Sequence, residues 1–301
     1  MGKAQIEMEA NQIISYKSKK TFLTKVKEQK ELILITLPFL VLLIVFVYVP
    51  LWGWIMAFQN YKPALGVQGS EWVGLKNFSV LFKDPDFYHA IRNTLGISVL
   101  KFVTGFTGAI TLAVLINEVR NVKFKKVVQT ISYLPHFVSW VVAASIVTTA
   151  LSPDNGIVNE VLIALHFIKE PIAFMGIPKL FWGILAGSDL WKEIGWSTII
   201  YLAAMTAIDN ELYEAASIDG AGRIRKVFAI TLPSIIPTIK ILMILSIGWL
   251  LTANFEQVYL LRNGMVADVS NTLEIYVYNL GIPLGRYSFA RSEEHTSELQ
   301  S

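Results

Sequence analysis

Residues Glu214–Pro233 read EAASIDGAGRIRKVFAITLP, a polar and charged stretch between two apolar runs that are each long enough to cross a bilayer. The opening Glu-Ala-Ala triplet favours a short helix, and Gly220 can take the positive φ that turns the chain into a second helix. Residues 221–228 interleave basic with apolar side chains. The stretch therefore predicts a knob of two short helices with a ridge that can dock in the groove of a partner.

The spacing within this stretch is E-A-A, three residues, G, nine residues, I-x-L-P. In this pattern it resembles the cytoplasmic EAA loop of the membrane subunits of ATP-driven importers fed by binding proteins, in the sugar and oligosaccharide branch. An ordinary basic loop that touches only lipid headgroups is the alternative, but it does not account for the spacing. The resemblance implies an ATPase-coupling role for Glu214, Ala215, Ala216, Asp219, Gly220, Arg223, Phe228, Ile230, Leu232 and Pro233.

The composition is that of an integral membrane protein. Apolar residues make up 53% of the chain and charged residues 16%, and the mean hydropathy is +0.50. These values do not fit a soluble domain of 301 residues. The chain has no cysteine, which excludes disulfides and thiolate metal sites.

Five apolar segments are long enough for a helix that crosses the hydrocarbon core, which needs about 20 residues. Backbone hydrogen bonding in lipid favours helices over strands. We therefore predict an all-α, polytopic transmembrane helix bundle. The resemblance implies the type I importer permease fold, with a sixth span lost by truncation. The predicted spans are Leu32–Phe58, Asn93–Ile116, Val127–Leu151, Leu180–Ala207 and Ile235–Leu261.

Basic residues predict the orientation, because short cytoplasmic flanks are enriched in lysine and arginine. They are concentrated in the N-terminal tail, in the loop that follows the second span, and in the loop around Gly220. The N-terminus is therefore expected in the cytoplasm. The resemblance implies that the membrane is the inner membrane of a bacterial cell. The deciding residues are Lys3, Lys17, Lys19, Lys20, Lys25, Lys27, Lys30, Arg120, Lys123, Lys125, Lys126, Arg223, Arg225 and Lys226.

The predicted organisation has four parts. Residues 1–31 form a cytoplasmic tail, residues 32–92 the first span and an extracytoplasmic loop, and residues 93–290 an incomplete permease core. Residues 291–301, RSEEHTSELQS, look like a translated sequencing adapter and are excluded from fold reasoning.

No catalytic motif is present. The sequence has no phosphate-binding loop, no G-x-G-x-x-G and no H-E-x-x-H. We therefore expect no catalytic residue, metal or cofactor in this chain, no nucleic acid partner, and ATP hydrolysis on a separate subunit.

Ionisable residues inside the predicted spans are candidates for function, since an unpaired charge in lipid is costly. They are Lys101, Asp189, Lys192, Glu193 and Lys240. A sugar site also needs aromatic faces and polar hydrogen-bonding groups. The hypothetical substrate pathway comprises Tyr133, His136, Trp140, Asp189, Asn254 and Glu256, with packing and interfacial anchoring as the alternative explanation.

The resemblance implies an assembly of two permease subunits, two cytoplasmic ATPase subunits and an extracytoplasmic solute-binding protein that delivers a sugar or oligosaccharide. Two other classes remain open at this point. An ion-coupled secondary transporter would recruit Asp189 or Glu256 for the ion, and its uptake would survive ATP depletion. A membrane scaffold would keep the docking loop and show no solute flux.

Overall fold

The computed structural model describes residues 28–248 and 250–282, which are almost entirely helical. The predicted all-α class is confirmed for these residues. The chain divides into two compact units, Met1–Ile55 and Met56–Ser301. The basic tail before residue 28 and the adapter-like residues 291–301 lie outside the described part.

The first unit contains helix α1, Lys30–Leu43, followed by a wider π turn at Ile44–Tyr48 and a further helical turn at Val49–Leu51. Together with the 3-10 turns that follow, the helical residues Lys30–Phe58 are long and apolar enough to span a membrane. They match the first predicted span.

The second unit begins with a two-stranded antiparallel ribbon, β1 Gln59–Asn60 and β2 Glu71–Trp72, in which Gln59 pairs with Trp72. Single helical turns lie at Gly66–Gly69 and Ala267–Ser270. The remaining helices are α2 Lys76–Leu81, α3 Pro85–Glu118, α4 Val122–Tyr133, α5 Trp140–Ala150, α6 Ile157–Ala164, α7 Pro178–Thr206, α8 Asn210–Ile218, α9 Arg223–Lys226, α10 Leu232–Ile247, α11 Phe255–Leu261 and α12 Leu273–Gly281.

Helices α3 and α7 form the centre of this unit and run parallel to each other. Gly96 near the start of α3 faces Trp182 near the start of α7, and Gly108 faces Leu190 further along both helices. A proline begins each helix, where the missing N–H costs no hydrogen bond. The pair gives the rest of the unit a rigid axis.

The apolar core follows this axis. At one end Ile97 of α3 packs in a buried cluster with Phe181 of α7. At the other end Ala113 of α3 packs with Leu202 of α7 and with Ile235 of α10. Helix α10 thereby closes the side of the bundle near the polar stretch.

The third predicted span, 127–151, is a bent pair of helices instead of one straight helix. Helix α4 ends in a 3-10 turn, and α5 leaves at 106° to it. Pro135 lies in that turn and has no N–H to donate, and Ser139 adopts an extended conformation that caps α5. Proline and the new cap account for the bend.

The fifth predicted span, 235–261, is placed differently in the structure. The continuous helix runs over Arg223–Ile247 and includes a π turn at Val227–Thr231. Asn254 has a φ of 66°, and its side chain caps the separate helix α11. The left-handed residue and its cap explain where α11 begins, after α10 has already ended at Ile247.

Three of the described helical segments are long and apolar enough to span a membrane, namely Lys30–Phe58, Pro85–Glu118 and Arg223–Ile247. The bent pair would be a fourth. Helix α7 has 29 residues, which is long enough, but Asp189, Lys192 and Glu193 fall in its middle. Helix α7 is therefore not among the three apolar segments because of its charges, and not because of its length.

Of the three glycines on α7, Gly183, Gly187 and Gly195, only Gly195 closely approaches another helix. A Cβ on Gly195 would lie 2.0 Å from the backbone oxygen of Ser132 in α4, whereas Gly183 and Gly187 face open space. Helix α4 therefore touches the backbone of α7 at Gly195.

We expect Gly195→Ala to destabilise the protein by about 3 kcal/mol, since backbone atoms must shift to admit the methyl group. Gly187→Ala, on the same helix, should be neutral or stabilising by about 0.5–1 kcal/mol because alanine favours the helix. Thermal unfolding in detergent measures both. Equal melting temperatures for the two variants would contradict the packing described.

Candidate functional site

The polar stretch folds as two short helical arms. Helix α8 is capped at its start by Asp209, whose carboxylate accepts a hydrogen bond from the Glu211 amide. The chain turns after the helix at Gly220, which has a φ of 73°. The amide of Ala221 donates to the Ala216 carbonyl at 2.8 Å, and the Gly220 amide donates to Ser217 at 3.1 Å. This Schellman turn is the geometry expected at Gly220.

The second arm runs from α9 through the π turn into α10 without a break. Side chains join the two arms: the Tyr213 hydroxyl is 2.9 Å from the Thr231 hydroxyl, and Lys226 donates to Ser217. Thr231 is fully buried. The arms are therefore tied together, so we expect them to move as one body.

The outer surface of this loop is unusually apolar. Ile218 is 88% exposed, Ile224 76% and Phe228 67%, next to the exposed Arg223 and Arg225. Such large exposed apolar side chains on a charged loop indicate a contact surface for another protein. Of these three, only Phe228 is among the predicted coupling residues.

The remaining predicted coupling residues fall into two groups. Glu214, Ala215 and Ala216 lie within α8, with Asp219 at its end. Ile230 and Leu232 are half-buried against the bundle, whereas Pro233 is exposed in the first turn of α10. The structure thus brings the predicted set together in one loop, and their role remains a prediction.

The charges on α7 are paired with other elements. Asp189 forms an ion pair with Lys101 of α3 at 2.8 Å. Lys101 also donates to the Gln257 side-chain oxygen at 2.8 Å. The fully buried Gln257 in turn donates to the Leu185 carbonyl at 2.8 Å. Helices α3, α7 and α11 are linked through these bonds.

A second set of polar contacts holds the bend between α4 and α5. The buried Lys192 donates to the His136 carbonyl at 2.9 Å and to Glu193 at 2.8 Å. Nδ1 of His136 lies 2.6 Å from Glu193, and its ring stacks on Trp196 at 4.4 Å. The Lys192 ammonium also lies 5.3 Å from the Trp140 ring. These contacts satisfy the carbonyl group that the bend frees.

A cavity of about 380 Å³ opens between α3, α7 and α10. Lys101 and Asp189 form its charged end. Four aromatic side chains form much of its wall, and Leu242 and Ser246 of α10 complete one side. The aromatic residues are Phe102, Phe106, Trp196 and Tyr201.

Of the predicted substrate pathway, Asp189 alone lines this cavity. His136 and Trp140 serve the bend, and Tyr133 is half-buried at the end of α4. Asn254 caps α11 through a bond from the Gln257 amide, and Glu256 is exposed on that helix. Sequence reasoning missed the four aromatic residues. Phe102 and Phe106 have the i, i+4 spacing of ordinary packing on a helix, and Trp196 and Tyr201, five residues apart in α7, show no spacing that marks a site.

Comparison with known proteins adds a family and several relatives. A family model described as "Binding-protein-dependent transport system inner membrane component" matches residues 105–290. The chain is 45% identical over 278 residues to the polygalacturonan/rhamnogalacturonan transport system permease protein YteP of Bacillus subtilis (strain 168), covering 92% of this chain and 86% of YteP. It is 41% identical to protein LplB of the same organism, covering 90% and 84%.

Two solved structures are similar as well. A bacterial ABC transporter involved in the import of the acidic polysaccharide alginate has a TM-score of 0.84 at 36% identity, covering 92% of this chain and 93% of its own. The alginate transporter in complex with an alginate pentasaccharide-bound periplasmic protein also has a TM-score of 0.84 at 36% identity, covering 93% and 92%.

The contacts of Lys192 predict a stability effect. Lys192→Met leaves Glu193 and the His136 carbonyl without their cation, and we expect a loss of about 3 kcal/mol. Adding Glu193→Gln should recover part of the loss, because the uncompensated carboxylate is then gone. Lys240→Met, at an exposed position on α10, is the matched control. Unchanged thermal unfolding of Lys192→Met in detergent would refute this role.

Proposed function

Since this chain belongs to the family of binding-protein-dependent transport system inner membrane components, we propose that it is a membrane-spanning permease subunit of an ATP-driven importer of acidic oligosaccharides. The observation that carries the proposal is the exposed apolar surface of the loop around Gly220, which calls for a protein partner. The sugar class is supported by relatives named for polygalacturonan and alginate.

ATP hydrolysis is assigned to separate cytoplasmic subunits that bind the loop through Ile218, Ile224 and Phe228. The second arm continues into α10, and α10 forms one side of the cavity. Displacement of the loop therefore moves a cavity wall. The ATPase subunits must bind two conformations of the loop with different affinity, since equal affinity shifts no equilibrium.

The aromatic cavity is proposed as this subunit's part of the translocation pathway. Flat aromatic faces suit the apolar faces of sugar rings, and the Lys101–Asp189 pair offers hydrogen bonds at one end. A second permease subunit would close the open side, and an extracytoplasmic solute-binding protein would deliver the sugar. In support, the periplasmic protein in one similar structure carries an alginate pentasaccharide.

The proposed orientation places the N-terminus and the loop in the cytoplasm, with the bundle in the bacterial inner membrane and the predicted boundaries at residues 32, 93 and 291. Ion coupling in a secondary transporter is less well supported. Asp189 is already paired with Lys101, and Glu256 is exposed outside the cavity. A scaffold without transport would have no use for a cavity that the loop's own helix lines.

Replacing the exposed apolar side chains of the loop around Gly220 should separate the permease from its ATPase subunits. For the double variant Ile224→Ser, Phe228→Ser we expect at least about a tenfold loss of co-purified ATPase subunits, since central apolar side chains carry much of the energy of an interface. Uptake of trigalacturonate into right-side-out vesicles should fall with it. Phe167→Ser removes a phenyl group that is 75% exposed, but outside the loop, and should change neither quantity. Full ATPase retention in the double variant would contradict the proposal, as would uptake that survives ATP depletion and collapses with the ion gradient.

The absence of cysteine allows the orientation to be tested cleanly. Gly222→Cys places a thiol at an exposed position with open space around the Cβ. A membrane-impermeant maleimide should label it in inside-out vesicles and leave it unlabelled in intact cells. Labelling only from outside intact cells would reverse the assigned topology.

A further inference from the structure

A second cavity, of about 800 Å³, lies apart from the aromatic one, between the first turns of α3 and the segment from Arg262 to Asn279. Arg92, Arg262 and His89 line it together with Asp86, Asp268 and Asn271. Among the described residues, its lining contains no aliphatic side chain larger than that of alanine and no phenyl or indole ring. The cavity shares no lining residue with the aromatic one, and its surface is suited to a strongly polar ligand.

Among the described residues, two guanidinium groups that line this second cavity, here called the outer cavity, have no anionic partner. Arg92 donates to the Asn93 side-chain oxygen at 3.2 Å, and the Arg262 guanidinium lies over the Tyr259 ring at 5.0 Å. In the part of the chain that the structure describes, neither forms an ion pair with a carboxylate. A guanidinium group offers a planar set of donors that fits a carboxylate or a phosphate.

The other lining groups distinguish between these two anions. Asp86 and Asp268 repel a ligand with dense negative charge, such as a phosphate, but they accept hydrogen bonds from hydroxyl groups. A ligand with carboxylates separated by several hydroxyl groups offers acceptors to the two guanidinium groups and donors to the two aspartates. A chain of uronate sugars has that chemistry.

The outer cavity is held in shape by bonds between its two walls. The Asn93 side-chain amide donates to the carbonyls of Asp268 at 2.7 Å and Asn271 at 3.0 Å. The Leu273 amide donates to the Thr94 hydroxyl at 2.8 Å. Asn93 and Thr94 are fully buried. Because these bonds fix the loop on α3, both guanidinium groups are positioned before a ligand arrives, which lowers the cost of binding.

We propose that this outer cavity binds the carboxylates of uronate units in an acidic oligosaccharide, through Arg92 and Arg262, before the sugar reaches the aromatic cavity. The proposal rests on the proposed function and adds to it a second saccharide site on the face where α3 begins. Its volume is within the range of small-molecule sites, which is about 300–1,000 Å³.

The test uses the complete transporter in nanodiscs without the solute-binding protein, with trigalacturonate and its methyl ester as probes. The two probes have the same length and stereochemistry and differ in charge. We expect Arg92→Gln, Arg262→Gln to raise the Kd for trigalacturonate about tenfold or more, because two charge-assisted contacts are lost. Binding of the methyl ester should not change. Lys83→Gln, an exposed cation shortly before α3, is the matched control and should leave both Kd values unchanged.

Three results would overturn the proposal. The first is an unchanged Kd for trigalacturonate in the double variant. The second is an equal loss of binding for both probes, since the carboxylates would then be irrelevant. The third is intact trigalacturonate binding with weaker binding of the solute-binding protein, which would assign the cavity to protein carboxylates. If the double variant does not assemble, the single variant Arg262→Lys is measured instead, because it keeps the charge and loses the planar set of donors. An unchanged Kd for trigalacturonate in this variant would count against the proposal.

Transport assays with the same complex in proteoliposomes, with the solute-binding protein added, separate this proposal from the proposed function. If the wild-type transporter takes up trigalacturonate and the double variant has an unchanged Kd and KM, the outer site is contradicted and the proposed importer function stands. ATP hydrolysis by the wild-type transporter without uptake of either probe would instead remove the proposed function, and with it the saccharide assignment of the outer cavity.

Discussion

An unpaired charge in apolar surroundings is costly, and this constraint decides what the middle of α7 must contact. Asp189 is compensated by Lys101, which holds α3 beside α7. Lys192 is compensated by Glu193 and by the His136 carbonyl, which holds the bend between α4 and α5. Two neighbouring turns of one helix thus fix three other elements. The apolar clusters at the two ends of the axis pack around a geometry that these polar contacts specify.

The same contacts give the aromatic cavity its form. Lys101 and Asp189 are held at one end by each other and by Gln257, so the charges do not fill the space between the rings. The wall that α10 supplies is attached to the loop around Gly220 through continuous helix. A change at the loop surface therefore reaches the cavity without crossing a flexible joint. This arrangement joins the proposed docking surface and the proposed translocation pathway within one chain.

Features that depend on nearby residues were predictable from the sequence. The turn at Gly220 and the helical content follow from local conformational preferences and apolar runs, and both are present. The start of α11 was missed because the apolar run reads as continuous, whereas α10 ends at Ile247 and Asn254, with its positive φ, begins a new helix. The cavities were missed for a different reason. Arg92 and Arg262 are distant in sequence, and their segments are brought together by bonds that Asn93 and Thr94 make with the other wall.

The π turn at Val227–Thr231 has a consequence for how this loop can vary. A π turn holds one residue more than an α turn, so it acts as a one-residue insertion in an otherwise regular helix. Deleting that residue would restore α geometry and rotate every side chain on its N-terminal side by about 100° around the helix axis. Ile224 would then face a different direction relative to the wall of the cavity, although no residue of the contact surface had been replaced. The angle between the contact surface of the loop and the cavity wall is therefore set by the number of residues in the turn, and not by their identity.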